Sequence, residues 1–368
     1  MTDDRTTAGA LPVDPALDAR LFWAEAEALL AAGDADGVVA ACEARLRGTP
    51  RELTANLAKA EALFALGRIR GAVSFYRAAF QLAGEQLAGQ AHARAALERA
   101  QHTLQDAGRL FTERLENAVA EAGLDDRPEH LRFRAAIDMM LGRIARPETE
   151  DRYPNRPTVF FMPGLPTTEF AEPGIFPWEE HLRRHIDEID AELDALLDER
   201  DLFEPYLRNN PVAPVVVEHD AYGNAGWGAM HLHSSGTPNE EILGRCPRTM
   251  EILGALPVPT VSGKSPNILF SRLRPGMHIP PHHGQMNTRF VGHLPLRTPK
   301  DNWIRVGSQT RHHRRGEILL FDDTIEHEAR NESDEDRIVL IFDVWRPELN
   351  EDEKRMITAL FDAVEAME

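Results

Sequence analysis

The stretch that decides the fold runs from Leu273 to Gly284, Leu-Arg-Pro-Gly-Met-His-Ile-Pro-Pro-His-His-Gly, and leads into Asn287-Thr-Arg289 and His293-Leu294. It is answered by Leu320-Phe-Asp-Asp-Thr-Ile-Glu-His-Glu328, so that His327 follows His282 by 45 positions. Ten residues later Arg337 opens Arg-Ile-Val-Leu-Ile-Phe-Asp-Val-Trp345, with Pro347-Glu-Leu349 beyond it. The segments Asn267–Leu273, Glu317–Phe321 and Arg337–Trp345 are short, apolar and rich in branched and aromatic side chains, which predicts strands. Pro275-Gly276, Pro280-Pro281 and Gly316 punctuate them. Several short strands at this spacing predict a β-sandwich or jelly roll, an architecture with a mouth for a small ligand.

Two histidines on neighbouring strands give imidazole ligands and leave adjacent coordination positions open for a chelating cosubstrate and O2, the requirement of a non-haem Fe(II) oxygenase. The usual third ligand is a carboxylate two residues after the first histidine, and that position here is Gly284. Asp322 and Asp323 are expected to orient imidazoles or end a strand rather than to ligate. Arg337 suits the distal carboxylate of 2-oxoglutarate, because its planar fork matches a carboxylate bidentately. His283 directly follows His282 and points to the opposite face of a strand, which makes it the poorer ligand. His278 reads as an ordinary packed or surface histidine. The run Arg311-His312-His313-Arg314-Arg315 reads as a basic hairpin turn.

These motifs resemble the catalytic domain of the aspartyl/asparaginyl β-hydroxylases, Fe(II)- and 2-oxoglutarate-dependent oxygenases. The resemblance covers roughly residues 150–349 and is densest from 271 to 349. It implies that His282 and His327 hold the iron, that water fills the place of the missing carboxylate, and that Arg337 is catalytic as the anchor of 2-oxoglutarate. It further implies that Trp227, Ser271, Arg289 and His293 border the cosubstrate, with Ser271 bonding the distal carboxylate. Well-studied animal members of the family carry a second arginine where Val291 stands here, so the Asp/Asn substrate is implied by family and not by these residues.

Composition narrows the rest. A chain of 368 residues with 42% hydrophobic and 27% charged residues predicts a globular protein of about two domains. A formal net charge of −19 argues against nucleic acid or an anionic membrane as partner. Two distant cysteines, Cys42 and Cys246, form no disulfide framework, and Met1-Thr-Asp-Asp-Arg lacks the apolar core of a signal peptide. No run of about 18 apolar residues spans a membrane. A cytoplasmic protein is expected.

Residues 1–15 read as a flexible tail, and 16–126 as an alanine-rich helical domain. In it Ala28, Leu29, Ala31, Gly33, Gly37, Val39 and Ala44 recur 34 positions later as Ala62, Leu63, Ala65, Gly67, Gly71, Val73 and Ala78, the period of tetratricopeptide repeats. Gln86–Glu121 reads as a longer capping helix. Residues 127–157 form a connector with a helix near Leu131–Ile144, and 158–368 the jelly-roll domain. Within it, Leu182, Ile186, Ile189, Leu193 and Leu196 predict one helix over Trp178–Arg200. Residues 350–367 predict a last amphipathic helix.

The expectation is thus an α+β protein: tetratricopeptide-like repeats followed by a double-stranded β-helix oxygenase. It takes Fe(II), 2-oxoglutarate and O2, and hydroxylates a C–H bond, with the β-carbon of Asp or Asn in a peptide or protein as leading substrate. The alternatives are a hydroxylase of a lipid or small molecule, and a non-catalytic repeat-mediated adaptor whose jelly roll holds a metal.

Overall fold

The computed structural model describes residues 15–87, 91–199, 201–206 and 224–366. Residues 1–14 of the expected tail, Arg200 and Met367 lie outside them. The chain divides into two compact units, with the boundary between Phe111 and Thr112.

The first unit is helical. α1 (Pro15–Ala31) and α2 (Ala35–Gly48) form one helix–turn–helix pair, α3 (Leu53–Ala65) and α4 (Ile69–Gln86) the next, and α5 (Ala91–Glu121) crosses the boundary. Gly33 (φ 80°) and Gly67 (φ 74°) occupy the same left-handed place in the two turns, where a Cβ is disfavoured. That backbone demand explains why a glycine recurs at a spacing of 34. α3 is buried along nearly its whole length, alanine-rich and closely flanked. Its one cation, Lys59, is 2% exposed; it reaches Glu43 at 3.1 Å and lies 4.5 Å from the Phe75 ring centre.

The second unit is built on two antiparallel sheets, so the chain is α+β. α6 (Leu131–Met140), α7 (Trp178–Arg184) and α8 (Ile186–Glu199) come first. Next come β1 (Glu204–Pro205), β2 (Trp227–Ser234), β3 (Thr237–Pro238), α9 (Glu240–Leu243) and α10 (Pro247–Leu253). The remaining strands are β4 (Ile268–Leu273), β5 (His278–His282), β6 (Arg289–Arg297), β7 (Asn302–Val306), β8 (Gln309–His312), β9 (Leu319–Phe321), β10 (His327–Asn331) and β11 (Arg337–Trp345). α11 (Glu351–Glu365) closes the described chain. The larger sheet runs β1-β2-β4-β11-β6-β9, with β3 on β2, and the smaller β5-β10-β7-β8.

The larger sheet is buried on both faces, which is why its strands read as largely hydrophobic runs instead of alternating. One face packs Met230, Leu232, Phe270, Leu294, Leu340 and Phe342 against Leu182, Ile189, Leu193 and Leu196 of the helices. The opposite face contributes Trp227, Leu273, Val291, Leu319 and Phe321 to a second core, completed by Ile279, Ile304, Val306 and Ala329 of the smaller sheet. This second core is the interior between the sheets, and by the two-residue period of a strand it also receives the polar residues that alternate with those apolar ones.

The helix expected over Trp178–Arg200 is instead two, broken at His185, whose backbone leaves the helical region (φ −106°, ψ 11°). The His185 imidazole bonds Glu188 at 2.6 Å in the first turn of α8. Leu182, Ile186 and Ile189 remain buried across the break, so the apolar stripe persists although the backbone does not. α11 starts with a capping box, Asn350 with Glu353, and the buried Glu353 carboxylate also takes Arg132 of α6 at 2.5 and 2.6 Å.

Candidate active site

β5 and β10 pair so that His327 lies directly opposite His282, with ring centres 4.0 Å apart. Both imidazoles are tied in the same way: Nδ1 of His282 donates to the Pro280 carbonyl at 2.8 Å, and Nδ1 of His327 to the Ile325 carbonyl at 3.0 Å. A carbonyl only accepts, so each Nδ1 carries a hydrogen, and Nε2 is the nitrogen through which a neutral ring would ligate. Burial, with the His282 ring beside it, holds the His327 pKa well below the ordinary value, so it stays neutral and able to ligate. The loops bearing the two rings are joined by the Gly284 N–H donating to the Asp323 carbonyl at 2.6 Å. Among the described residues no group of three or more His, Cys, Asp or Glu side chains assembles as a metal cage.

The space next to Gly284, where a third ligand would begin, is filled: a Cβ on Gly284 would overlap the carboxyl group of Asp323. Asp323 is buried, its Oδ1 has no hydrogen-bond partner among the described residues, and burial raises its pKa to about 7. Asp322 turns elsewhere. It forms a fully buried pair with Arg346 at 2.9 Å and accepts from Asn155 and Thr324, although burial still lifts its pKa to about 6.

The resemblance-derived residues fall on one interior face. Leu273 pairs with both Trp227 and Arg337, Ser271 with Val339, and His293 with Ile341. Strand parity therefore directs Trp227, Ser271, Arg337, His293 and Arg289 to the same side as Leu273 and Val291 of the interior core. Arg337 is 2% exposed; among the described residues it has no acidic partner and its Nη1 no hydrogen bond, and burial pulls its pKa down to about 10. Still cationic at neutral pH, it is a buried charge with no carboxylate paired to it among the described residues. Trp227 stacks on Tyr206 (4.1 Å, 8°) and lies 6.2 Å from the His282 ring. Arg289 is held by Asp343 at 2.5 Å and lies 3.6 Å from Asp323. Asp343 in turn accepts from Ser265 and Asn267.

One expectation is corrected here. Arg311–Arg315 is not merely a basic turn: β8 ends at His312, and His313 is 3% exposed and bonds His293 at 3.0 Å. His278 is a surface residue paired with Glu328 at 2.7 Å. Sequence reasoning passed over Asp343, Tyr206 and His313. Asp343 had a signal, since it stands six residues after Arg337 and so shares its strand face. Tyr206 and His313 had none, because long-range contacts alone bring them to the site.

Residues 183–347 match the family model "Aspartyl/Asparaginyl beta-hydroxylase". This segment belongs to the aspartyl/asparaginyl β-hydroxylase family. The hydroxylase-family segment is 34% identical over 135 residues to the human aspartyl/asparaginyl beta-hydroxylase, covering 36% of this chain and 18% of that protein. It is 32% identical over 176 residues to the ornithine lipid ester-linked acyl 2-hydroxylase of Rhizobium tropici, covering 47% of this chain and 58% of that one. The chain thus spans less than two thirds of the length of either relative. Among solved structures, AviO1 from Streptomyces viridochromogenes overlays loosely, at 15% identity and a TM-score of 0.29, over 50% of this chain and 92% of that chain.

Proposed function

We propose that the chain is an Fe(II)- and 2-oxoglutarate-dependent dioxygenase that hydroxylates a C–H bond, with the β-carbon of an Asp or Asn residue in a peptide or protein as its leading target. The observation that carries this reading is the combination of two facing imidazoles, each tied at Nδ1 to a carbonyl, and a buried Arg337 in the same interior that has no acidic partner among the described residues. Those donors fit a divalent transition metal, and Arg337 fits a dicarboxylate.

When bound, iron supplies with O2 and 2-oxoglutarate an oxidising power able to break an unactivated C–H bond, and the cosubstrate leaves as succinate and CO2. The chain's own residues do the rest. His282 and His327 hold the metal by Nε2, each ring oriented by its carbonyl. Arg337 anchors the distal carboxylate, with Ser271 two residues from its strand partner Leu273. Trp227, backed by Tyr206, walls the pocket and excludes water. The helical hairpins, with their 34-residue period, are assigned as tetratricopeptide-like repeats that present the peptide. Two buried, unpaired cysteines, Cys42 and Cys246, suit a reducing cytoplasm.

A second reading, hydroxylation of a lipid, is favoured by the name of the Rhizobium tropici relative and by Val291, which gives the pocket an apolar wall where well-studied animal members of the family place an arginine. Among the described residues no helix is long and apolar enough to cross a membrane.

The test is succinate release from 2-oxoglutarate with Fe(II) under air. His282→Ala and His327→Ala abolish it with the fold retained, since such a site is not a folding nucleus of the zinc-finger kind. Turnover that survives in both variants would falsify the reading. Parallel reactions with Asp- or Asn-containing peptides and with acyl lipids, read by a 16 Da gain, separate the two substrates.

A further inference from the structure

We propose that His313 is a positioning residue for the cosubstrate end of the site: with Asn302 it fixes the place of the His293 ring and its Nδ1–H tautomer, so that His293 lines that end as an uncharged ring and leaves the charge of a bound dicarboxylate to Arg337 alone. The proposal rests on the reading of Arg337 as the carboxylate anchor.

The hydrogens follow in sequence. The Asn302 side-chain amide donates to the Pro299 carbonyl, which leaves Asn302 Oδ1 as an acceptor 2.9 Å from Nδ1 of His313. His313 Nδ1 therefore carries a hydrogen. Burial and the positive charge of Arg337 hold the His313 pKa well below its ordinary value, so the ring is neutral and its Nε2 can only accept. That Nε2 is 3.0 Å from Nδ1 of His293, which must be the donor. The same two influences depress His293 to about 3, so its Nε2 bears a lone pair.

The arrangement is rigid and dry. His293, His313 and Asn302 are 6%, 3% and 1% exposed, so a wrong tautomer would leave a buried donor or acceptor unmet. The two rings lie nearly parallel (24°, centres 5.3 Å apart), and Phe321 stands edge-on to His293 at 5.0 Å. Asn302 is itself fixed, since its backbone carbonyl also accepts from Nδ1 of His312 at 2.9 Å. The chain of bonds reaches from the first residue of β7 across to β6, which supports a role in setting one ring and not only in joining strands. His293 pairs with Ile341, which shares the face of β11 with Arg337, so the pair lies on the face of the proposed carboxylate site.

The experiment uses the full chain with 15N-labelled histidine, first without metal. The expected wild-type spectrum shows His293 and His313 both protonated at Nδ1 and bare at Nε2. His313→Phe keeps an aromatic ring but removes the acceptor. It is expected to shift His293 toward the other tautomer and to raise the apparent KM for 2-oxoglutarate about tenfold, the order of one buried hydrogen bond, with kcat falling less. His313→Gln restores an acceptor oxygen and returns the KM to within about threefold of wild type. A wild-type His293 carrying its hydrogen on Nε2 overturns the proposal. So does a folded His313→Phe with unaltered spectrum and KM. If His313→Phe does not fold, the wild-type spectrum and the Gln variant decide. Arg337→Ala run alongside separates the failures: an unaltered KM there sinks the cosubstrate reading itself, whereas loss there with no effect at His313 sinks the relay alone.

Discussion

The carboxyl group of Asp323 occupies the space in which a side chain on residue 284 would begin. Glycine at 284 is therefore a steric requirement of this interior. The two loops that carry His282 and His327 close on each other there, with the Gly284 N–H on the Asp323 carbonyl. A carboxylate is thus kept beside the site, but it is delivered from the loop before His327 and faces Arg289.

Gly284→Ala is accordingly expected to destabilise the protein by about 1–3 kcal/mol through overpacking, and Asp323→Ala in the same chain to recover part of it. Gly284→Asp alone leaves metal affinity no higher, whereas Gly284→Asp with Asp323→Ala raises it. Chemical denaturation and metal titration check these four variants together with Asp323→Ala alone, and additive effects at 284 and 323 would show that the overlap carries no energy.

Arg337→Ala removes the partner of a desolvated carboxylate, a loss of about 2–5 kcal/mol, so the 2-oxoglutarate requirement rises roughly 30-fold or more. Arg337→Lys recovers only part, because an ammonium lacks the planar fork. Steady-state kinetics with varied 2-oxoglutarate measures both.

The Asp323 pKa is raised in the folded protein to about 7 from an ordinary 3.8. A raised folded pKa contributes stability that is complete below the unfolded value and is lost as pH rises through the folded one. The metal-free protein should therefore lose stability from about pH 4 toward pH 7 through this residue. Asp323→Asn removes that dependence, so its Tm relative to wild type climbs over the same window and then levels. A Tm difference that is flat with pH would show that Asp323 titrates normally.

Asp322→Ala strips the fully buried Arg346 of its 2.9 Å partner, although Glu348 remains at 3.2 Å. Breaking one side of a buried pair costs about 3–5 kcal/mol, so the urea midpoint should fall steeply. Asp323→Ala, which relieves a buried carboxylate with an unmet oxygen, should cost less.

A chain beginning at Thr112 tests the helical module. It retains Glu116, bonded to Arg143 at 2.6 Å, and the Ala122 carbonyl, which takes Arg355 at 3.0 Å; a chain beginning at Arg127 loses both. The longer piece is expected to be the more stable by circular dichroism. It should keep 2-oxoglutarate oxidation while the KM for the natural substrate rises. Unchanged turnover of that substrate by a folded Thr112 chain would assign the repeats to another partner.

Much of this molecule was legible in the chain itself, because local rules sufficed. Short branched and aromatic runs bounded by Pro and Gly marked β4, β9 and β11, and a period of 34 with glycine at the turn marked the paired helices. Period-two alternation along β11 would have carried both Arg337 and Asp343 to one face. Tertiary structure alone decided what closes on that face. Hydrogen-bond register set His282 opposite His327. Loop packing brought Asp323 onto Gly284, and His313 reached His293 across two strands. His185 broke a helix whose apolar stripe runs on unbroken. Periodicity records which way a side chain points. Which distant group meets it there depends on how separate elements pack, and no local pattern carries that information.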